Sequence, residues 1–235
     1  MIRSSGLATL VGLAACLLAP ATAQAQDEIL LRVTPEVGWL SAEHSKRVTA
    51  GGGSSESATT ASGPTFAVNP SIGLRRRFLG PLLAGLELEG VIASQGKIEG
   101  TIEPTPNGQP HDVWPGEWDL RDRFGVGGNV LLGFNAGGGA AQGYVFGGIR
   151  RMWSEVATSG VNPENGERGE RREQRARWPT TVGIGFLLDM GWLVDVRFGY
   201  ARSVTEWTQE IPDVLLDYGY SASGVTLSAG IGLPR

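Results

Sequence analysis

The sequence predicts an all-β protein: an eight-stranded antiparallel up-and-down transmembrane β-barrel preceded by a cleaved signal peptide. Three observations lead there. Segments of period-two alternation recur along the chain, short connections alternate with long ones, and aromatic residues gather at the segment ends.

The chain opens Met1-Ile2-Arg3, runs through apolar residues from Leu7 to Leu18, and reaches the small-residue stretch "APATAQAQ". That is the build of a secretory signal peptide, with cleavage expected after Ala25 and Ala23 and Ala25 as the small residues before the bond. The domains are then 1-25, signal peptide, and 26-235, barrel. A second reading takes "LAAC", ending at Cys16, as a lipoprotein signal, although the residues after Cys16 continue the apolar run. Cys16 is the single cysteine, so residues 26-235 offer neither a disulfide nor a thiolate metal site. No later apolar run approaches the roughly 20 residues a membrane helix needs. A net charge of -4 gives no support for nucleic-acid binding. The 36 glycines are dispersed through strand-like segments, and the two lysines, Lys46 and Lys97, lie in loop-like stretches.

Eight segments alternate. In the first, Leu31, Val33, Val37 and Trp39 oppose Arg32, Thr34, Glu36 and Gly38. In the second, Phe66, Val68, Ile72 and Leu74 oppose Asn69, Ser71, Gly73 and Arg75. The third sets Leu82, Leu86, Leu88 and Ile92 against Glu87 and Glu89. The fourth sets Leu120, Phe124, Val126, Val130 and Leu132 against Arg121, Arg123, Gly125 and Asn129. The fifth, Tyr144 to Trp153, has no clean polar face in either register. In the sixth, Trp178, Val182, Ile184 and Phe186 oppose Arg177, Thr181, Gly183 and Gly185. The seventh, "WLVDVRFGYAR", sets Trp192, Val194, Val196, Phe198 and Tyr200 against Asp195 and Arg197. The eighth sets Val225, Leu227, Ala229 and Ile231 against Gly224, Thr226, Ser228 and Gly230.

Connections after the second, fourth and sixth segments are tight, whereas four long polar loops are expected at about 42-63, 94-117, 155-176 and 203-219. With the first segment running outward, Trp39, Phe66, Trp118, Trp153, Trp178 and Tyr200 form one aromatic girdle. Phe78, Phe134, Tyr144, Phe186 and Trp192 form the other. On this reading the apolar faces meet lipid. The interior carries Arg32, Arg75, Arg121, Arg123 and Arg197 against Glu36, Glu87, Glu89 and Asp195, a charge network that plugs the lumen.

These features resemble those of the small eight-stranded outer-membrane β-barrel proteins of the OmpX, OmpA transmembrane-domain and Opa-like kind. The resemblance implies a Gram-negative outer-membrane location, a monomer, and a role in envelope integrity or adhesion exercised through the loops. Members of that family usually end in an aromatic residue, whereas this chain ends "GIGLPR", with Leu233 in its place.

Candidate chemistry is sparse. His44 and His111 each adjoin a carboxylate, Glu43 and Asp112, as in outer-membrane proteases that pair an acid with a histidine, but adjacency guarantees no geometry for a general base. Neither histidine lies in an expected strand, which weakens a lipid A deacylase reading. "GVGGNV" and "NAGGGAAQG" complete no nucleotide-binding fingerprint. No enzyme activity, cofactor or metal is expected. The expected partners are outer-membrane lipids and lipopolysaccharide, with an extracellular protein or surface ligand met through Arg168, Arg171, Arg172, Arg175, Trp114 and Trp207. Two other readings stand: a soluble periplasmic lipocalin-like barrel binding an apolar ligand, with the faces inverted, and a narrow pore or conduit.

Overall fold

The computed structural model describes residues 26–77, 81–103, 114–136, 140–162 and 165–234. Among these residues ten strands form one antiparallel sheet: β1 (Gln26–Ala50), β2 (Gly53–Arg77), β3 (Leu82–Gln95), β4 (Lys97–Ile102), β5 (Gly116–Ala136), β6 (Ala141–Val161), β7 (Arg168–Arg177), β8 (Thr180–Asp189), β9 (Leu193–Ile211) and β10 (Val214–Pro234). β3 with β4, and β7 with β8, lie in line and share one position each, against β5 and β6 respectively. β10 pairs back onto β1, so eight positions close into a ring with neighbours paired in chain order. Residues 1–25, where the signal peptide is expected, and Phe78, His111 and Asp112 lie outside the described residues.

Closure decides what each face of an alternating strand meets. Val196 and Phe198 are 41% and 52% exposed on the outer face of β9, while Asp195 and Arg197 are 0% and 7% exposed inside. The same sense holds on β1, where Leu31, Val33, Val37 and Trp39 point out and Arg32 and Thr34 point in. The outer surface is therefore an apolar belt. Trp39, Phe66, Trp178 and Tyr200 stand exposed toward one end of it, and Phe134, Phe186 and Trp192 toward the other.

Two expected girdle residues are placed differently. Tyr144 is 4% exposed and points into the lumen, because Val145 and Ile149 take the outer face of β6 and leave the even positions inside. Trp118 is 1% exposed and also points inward. Its reversal has a local cause: the β5–β6 register slips between Asp122 and Phe124, with one extra residue on β5, as β3 also carries one where the β2–β3 register slips between Phe66 and Ala67. A one-residue bulge reverses which face every later side chain meets. Below the slip Phe124 and Val126 point out; beyond it Leu120 and Trp118 point in.

The expected long loops are mostly strand. Residues 42–63 form a hairpin in which β1 and β2 pair without interruption up to Ala50 opposite Gly53. Gly51 and Gly52, at φ 57° and 83°, make the two-residue turn whose backbone suits right-twisted strands. Residues 203–219 are likewise the top of the β9–β10 hairpin, with Asp213 at φ 65° in its turn. Between β6 and β7 only a short connection separates Val161 from Arg168, while within 94–117 β4 forms and residues 104–113 lie outside the described ones. A 25-residue strand far exceeds the ~9–11 residues that cross a bilayer. The upper halves of the hairpins thus project beyond the apolar belt, where Glu43, Arg47, Glu56 and Thr60 are exposed on the outer face.

Candidate functional site

The lumen is built by alternate residues of facing strands. β3 and β9 stand opposite each other in the ring, yet their charges meet across it: Arg197 Nη1 and Nη2 donate to Glu87 Oε1 and Oε2 at 2.9 and 2.7 Å. Arg197 Nε also reaches Asp195 Oδ2 at 3.1 Å and Tyr144 Oη at 2.8 Å, while the Tyr144 hydroxyl donates to Asp195. Arg32, from β1, pairs with both Glu87 and Asp195. One level higher, Arg150 forks onto Glu36 at 2.9 and 3.0 Å and donates to Glu89 at 2.6 Å, and Asn69 Nδ2 donates to Glu36 at 3.1 Å. Arg75 donates to Gln142 at 2.7 Å, its guanidinium 4.9 Å from the centre of the Tyr144 ring.

Above these, Arg177 holds Asp122 with two hydrogen bonds from Nη2, of 2.7 and 2.6 Å, and donates to Ser203 and Ser154. Five guanidinium groups, of Arg32, Arg75, Arg150, Arg177 and Arg197, thus share the lumen with five carboxylates, of Glu36, Glu87, Glu89, Asp122 and Asp195, with Arg75 held by Gln142 and the other four by carboxylates. That balance matters in a dry interior, because an uncompensated buried charge costs several kcal/mol.

Arg121 and Arg123, expected in this network, are outside it. The bulge turns Arg123 to the outer surface, where it pairs with Glu155 at 2.6 Å, and Arg121 sits on the outer side opposite Glu155. Their places in the lumen are taken by Arg150, Arg177 and Asp122. Arg150 was legible in principle, since the β-branched Val145 and Ile149 mark the outer face of β6 and leave Arg150 inward. Asp122 was not, because it faces inward only through the slip beside it.

Apolar layers bracket the charges. Leu30, Leu131, Tyr144, Phe146, Leu187 and Leu193 cluster at the lower end. At the hairpin end, Trp118, Leu120, Val156, Tyr218 and Tyr220 pack around Ala42, with His44 stacked on Trp118 at 5.7 Å and edge-on to Tyr220 at 4.8 Å. Burial, with the nearby charge of Lys46 second, pushes His44 down to about 4. The imidazole is therefore neutral at pH 7. Glu43, its neighbour in sequence, lies exposed on the opposite face of β1, so the two are not an acid and histidine pair. A cavity of about 70 Å³ separates the Arg150 and Arg177 clusters, room for about two water molecules.

Three of the six expected surface contacts are engaged within the barrel. Trp207 faces inward, stacked on Tyr218 at 5.2 Å and Tyr220 at 5.6 Å. Arg175 lies 4.4 Å over the Trp207 ring and Arg171 lies 5.4 Å over Tyr218, and both pair with Glu173. Arg172 pairs with Glu170 at 2.7 Å, Arg168 is exposed, and Trp114 packs half-buried beside Gly160 and Gly169. Arg171, Arg175 and Trp207 are thus turned to the inner side, since β7 is a strand whose inner face is latched to β9 and β10, while Arg168 and Arg172 stay exposed. Among the described residues, no group of three or more His, Cys, Asp or Glu side chains is placed to hold a metal ion.

A closed ring with charge inside and a continuous apolar surface outside defines a transmembrane β-barrel. No family model matches the chain, and no curated protein matches it. Among solved structures it is similar to Ail, the attachment invasion locus protein of Yersinia pestis, at 12% identity and a TM-score of 0.29 over 83% of this chain and 98% of that one. It is also similar to the outer membrane protease OmpT of Escherichia coli, at 10% identity and a TM-score of 0.42, covering 88% and 97%. Neisserial surface protein A is a third, at 12% identity and 0.25, covering 81% and 95%.

Proposed function

We propose that this protein is a non-enzymatic scaffold of the bacterial outer membrane, with a lumen plugged by charge and with its projecting hairpins as the surface presented to the cell's surroundings. The observation that carries the reading is the inversion of an ordinary globular protein: apolar side chains outside, a balanced set of charges inside. A midplane charge on the outer face of such a barrel costs roughly 2–4 kcal/mol, whereas paired charges inside face no lipid. Trp192, Phe198 and Tyr200 would have to line a pocket in a soluble ligand-binding barrel, and they point away from the lumen. A pore would need a continuous lumen, and the Glu87–Arg197 pair spans it.

The projecting side is tested with Ser54→Cys, a single thiol in a mature chain that otherwise has none, exposed beside the β1–β2 turn. A membrane-impermeant maleimide added to intact cells labels it fully if the hairpins face outward. Labelling only after the cells are broken would reverse the orientation.

A further inference from the structure

Charge is balanced deep in the lumen and unbalanced at its mouth. Above the aromatic layer, the inward faces of β1 and β7 present Lys46, Arg171, Glu173 and Arg175. Glu173 is shared by Arg171 and Arg175, and among the described residues no carboxylate pairs with Lys46. Three cations thus meet one carboxylate, which leaves positive charge in excess. Lys46 and Arg171 also crowd a single ring, with Nζ 5.7 Å and the guanidinium 5.4 Å from the centre of Tyr218. Burial, with the charge of Arg171 second, pulls the Lys46 ammonium below its ordinary pKa of 10.5.

Unused hydrogen-bonding atoms lie beside this charge. Arg175 Nε and the Trp207 indole N–H are buried, and neither meets an acceptor among the described residues. Gln209 Oε1, on the same face of β9 two residues beyond Trp207, is buried without a donor. Orphan donors next to excess positive charge suit an anion whose oxygens accept from several directions. The fold also leaves a way in. β7 pairs with β6 alone, and β9 beyond Arg202 pairs with β10 alone, so no backbone ladder joins β7 to β9. At that seam the Arg171 and Arg175 side chains keep 33% and 34% of their surface exposed, against 4% for Arg177 lower in the lumen.

We propose that the seam between β7 and β9 binds a sugar phosphate: Lys46 and Arg171 take the phosphate, Arg175 and Trp207 supply further donors, and Gln209 accepts from a sugar hydroxyl. A phosphate monoester carries about −1.5 to −2 at pH 7, enough to offset the excess, whereas a sulfate ester or a carboxylate is singly charged. The guanidinium fork also matches phosphate oxygens. The proposal names a ligand class for the projecting hairpins, and it rests on the outer-membrane reading for placing the seam outside the cell.

The test uses the two lysines of the mature chain: Lys46 at the site, and Lys97 on the outer face of β4, where it pairs with Asp119 at 3.3 Å. Acetylation of the full mature chain, folded in detergent, is followed at each lysine by mass spectrometry, so the site is read without a substitution. Glucose 6-phosphate slows acetylation of Lys46 about tenfold and leaves Lys97 unchanged, while glucose 6-sulfate and inorganic phosphate at equal concentration protect less and glucose not at all. Arg171→Gln abolishes the protection, and Arg47→Gln, on the outer face of β1, keeps it. Lys46 acetylated equally fast with and without glucose 6-phosphate would overturn the site. Equal protection by glucose 6-sulfate would overturn the choice of phosphate, and equal protection by inorganic phosphate the choice of a sugar ester. These readings do not depend on how the barrel sits in a cell, so labelling of Ser54→Cys only in broken cells would overturn the outward placement alone.

Discussion

Glu87 is the residue on which the lower lumen converges, since it receives both arms of Arg197 and pairs with Arg32. Glu87→Gln keeps the shape but leaves two buried guanidinium groups sharing Asp195. The expected cost is about 3–5 kcal/mol, read as a lowered urea midpoint of the barrel refolded in detergent, and an unchanged midpoint would show the network to be energetically idle. His44 gives a second test, outside the apolar belt. Its pKa is depressed from 6.5 to about 4, so as pH falls the unfolded chain takes up the proton first. Stability is full above pH 6.5 and is lost progressively down to about pH 4, a loss on the order of 3 kcal/mol. His44→Gln removes that part of the acid slope, followed by the fluorescence of Trp118, on which His44 stacks. Identical acid titrations of the two proteins would contradict it. The sequence placed Arg32, Glu87, Asp195 and Arg197 on the polar face because period two suffices there. It could not show that Glu43 and His44, neighbours in sequence, are separated by the thickness of the sheet.

At the scale of elements, the hairpins are where sequence and structure diverge most. In "GGGSSESATTASG" the residues facing in (Ser55, Ser57, Thr59, Ala61) and those facing out (Ser54, Glu56, Thr60, Ser62) are equally small and polar, so no alternation betrays a strand. What holds it is the ladder to β1 and an apolar interior supplied by other strands, through Trp118, Tyr218 and Tyr220. The bulges of β3 and β5 are hidden for a related reason: one inserted residue leaves no mark in composition, yet it moves Trp118 from the surface to the core. The β1–β2 turn is testable directly. Gly51→Ala combined with Gly52→Ala forces two L-residues to positive φ, at roughly 1–2 kcal/mol each, and should speed hydrogen exchange along the upper hairpin while leaving the lower ring protected. Uniform protection in the variant would mean that the turn does not set the hairpin.

For the whole molecule, eight ring positions, closure of β10 onto β1 and an apolar exterior make one consistent design, which stands or falls on the outer surface meeting lipid. Alternation, turn spacing and aromatic ends made the ring legible, because each is a repeated signal. The activity of the projecting hairpins was not legible, because their outer face is a mixture of Ser, Thr, Glu and Arg without a pattern. Val196→Arg places a charge in the belt and should abolish assembly, whereas Val196→Leu should be silent. The most direct measurement is fractionation of cells expressing the full chain, followed by electrophoresis of the envelope protein in detergent with and without boiling. The expected result is an outer-membrane protein that migrates as a compact band when unheated and shifts on boiling. A protein recovered without detergent from the periplasm, with no heat-dependent shift, would contradict it.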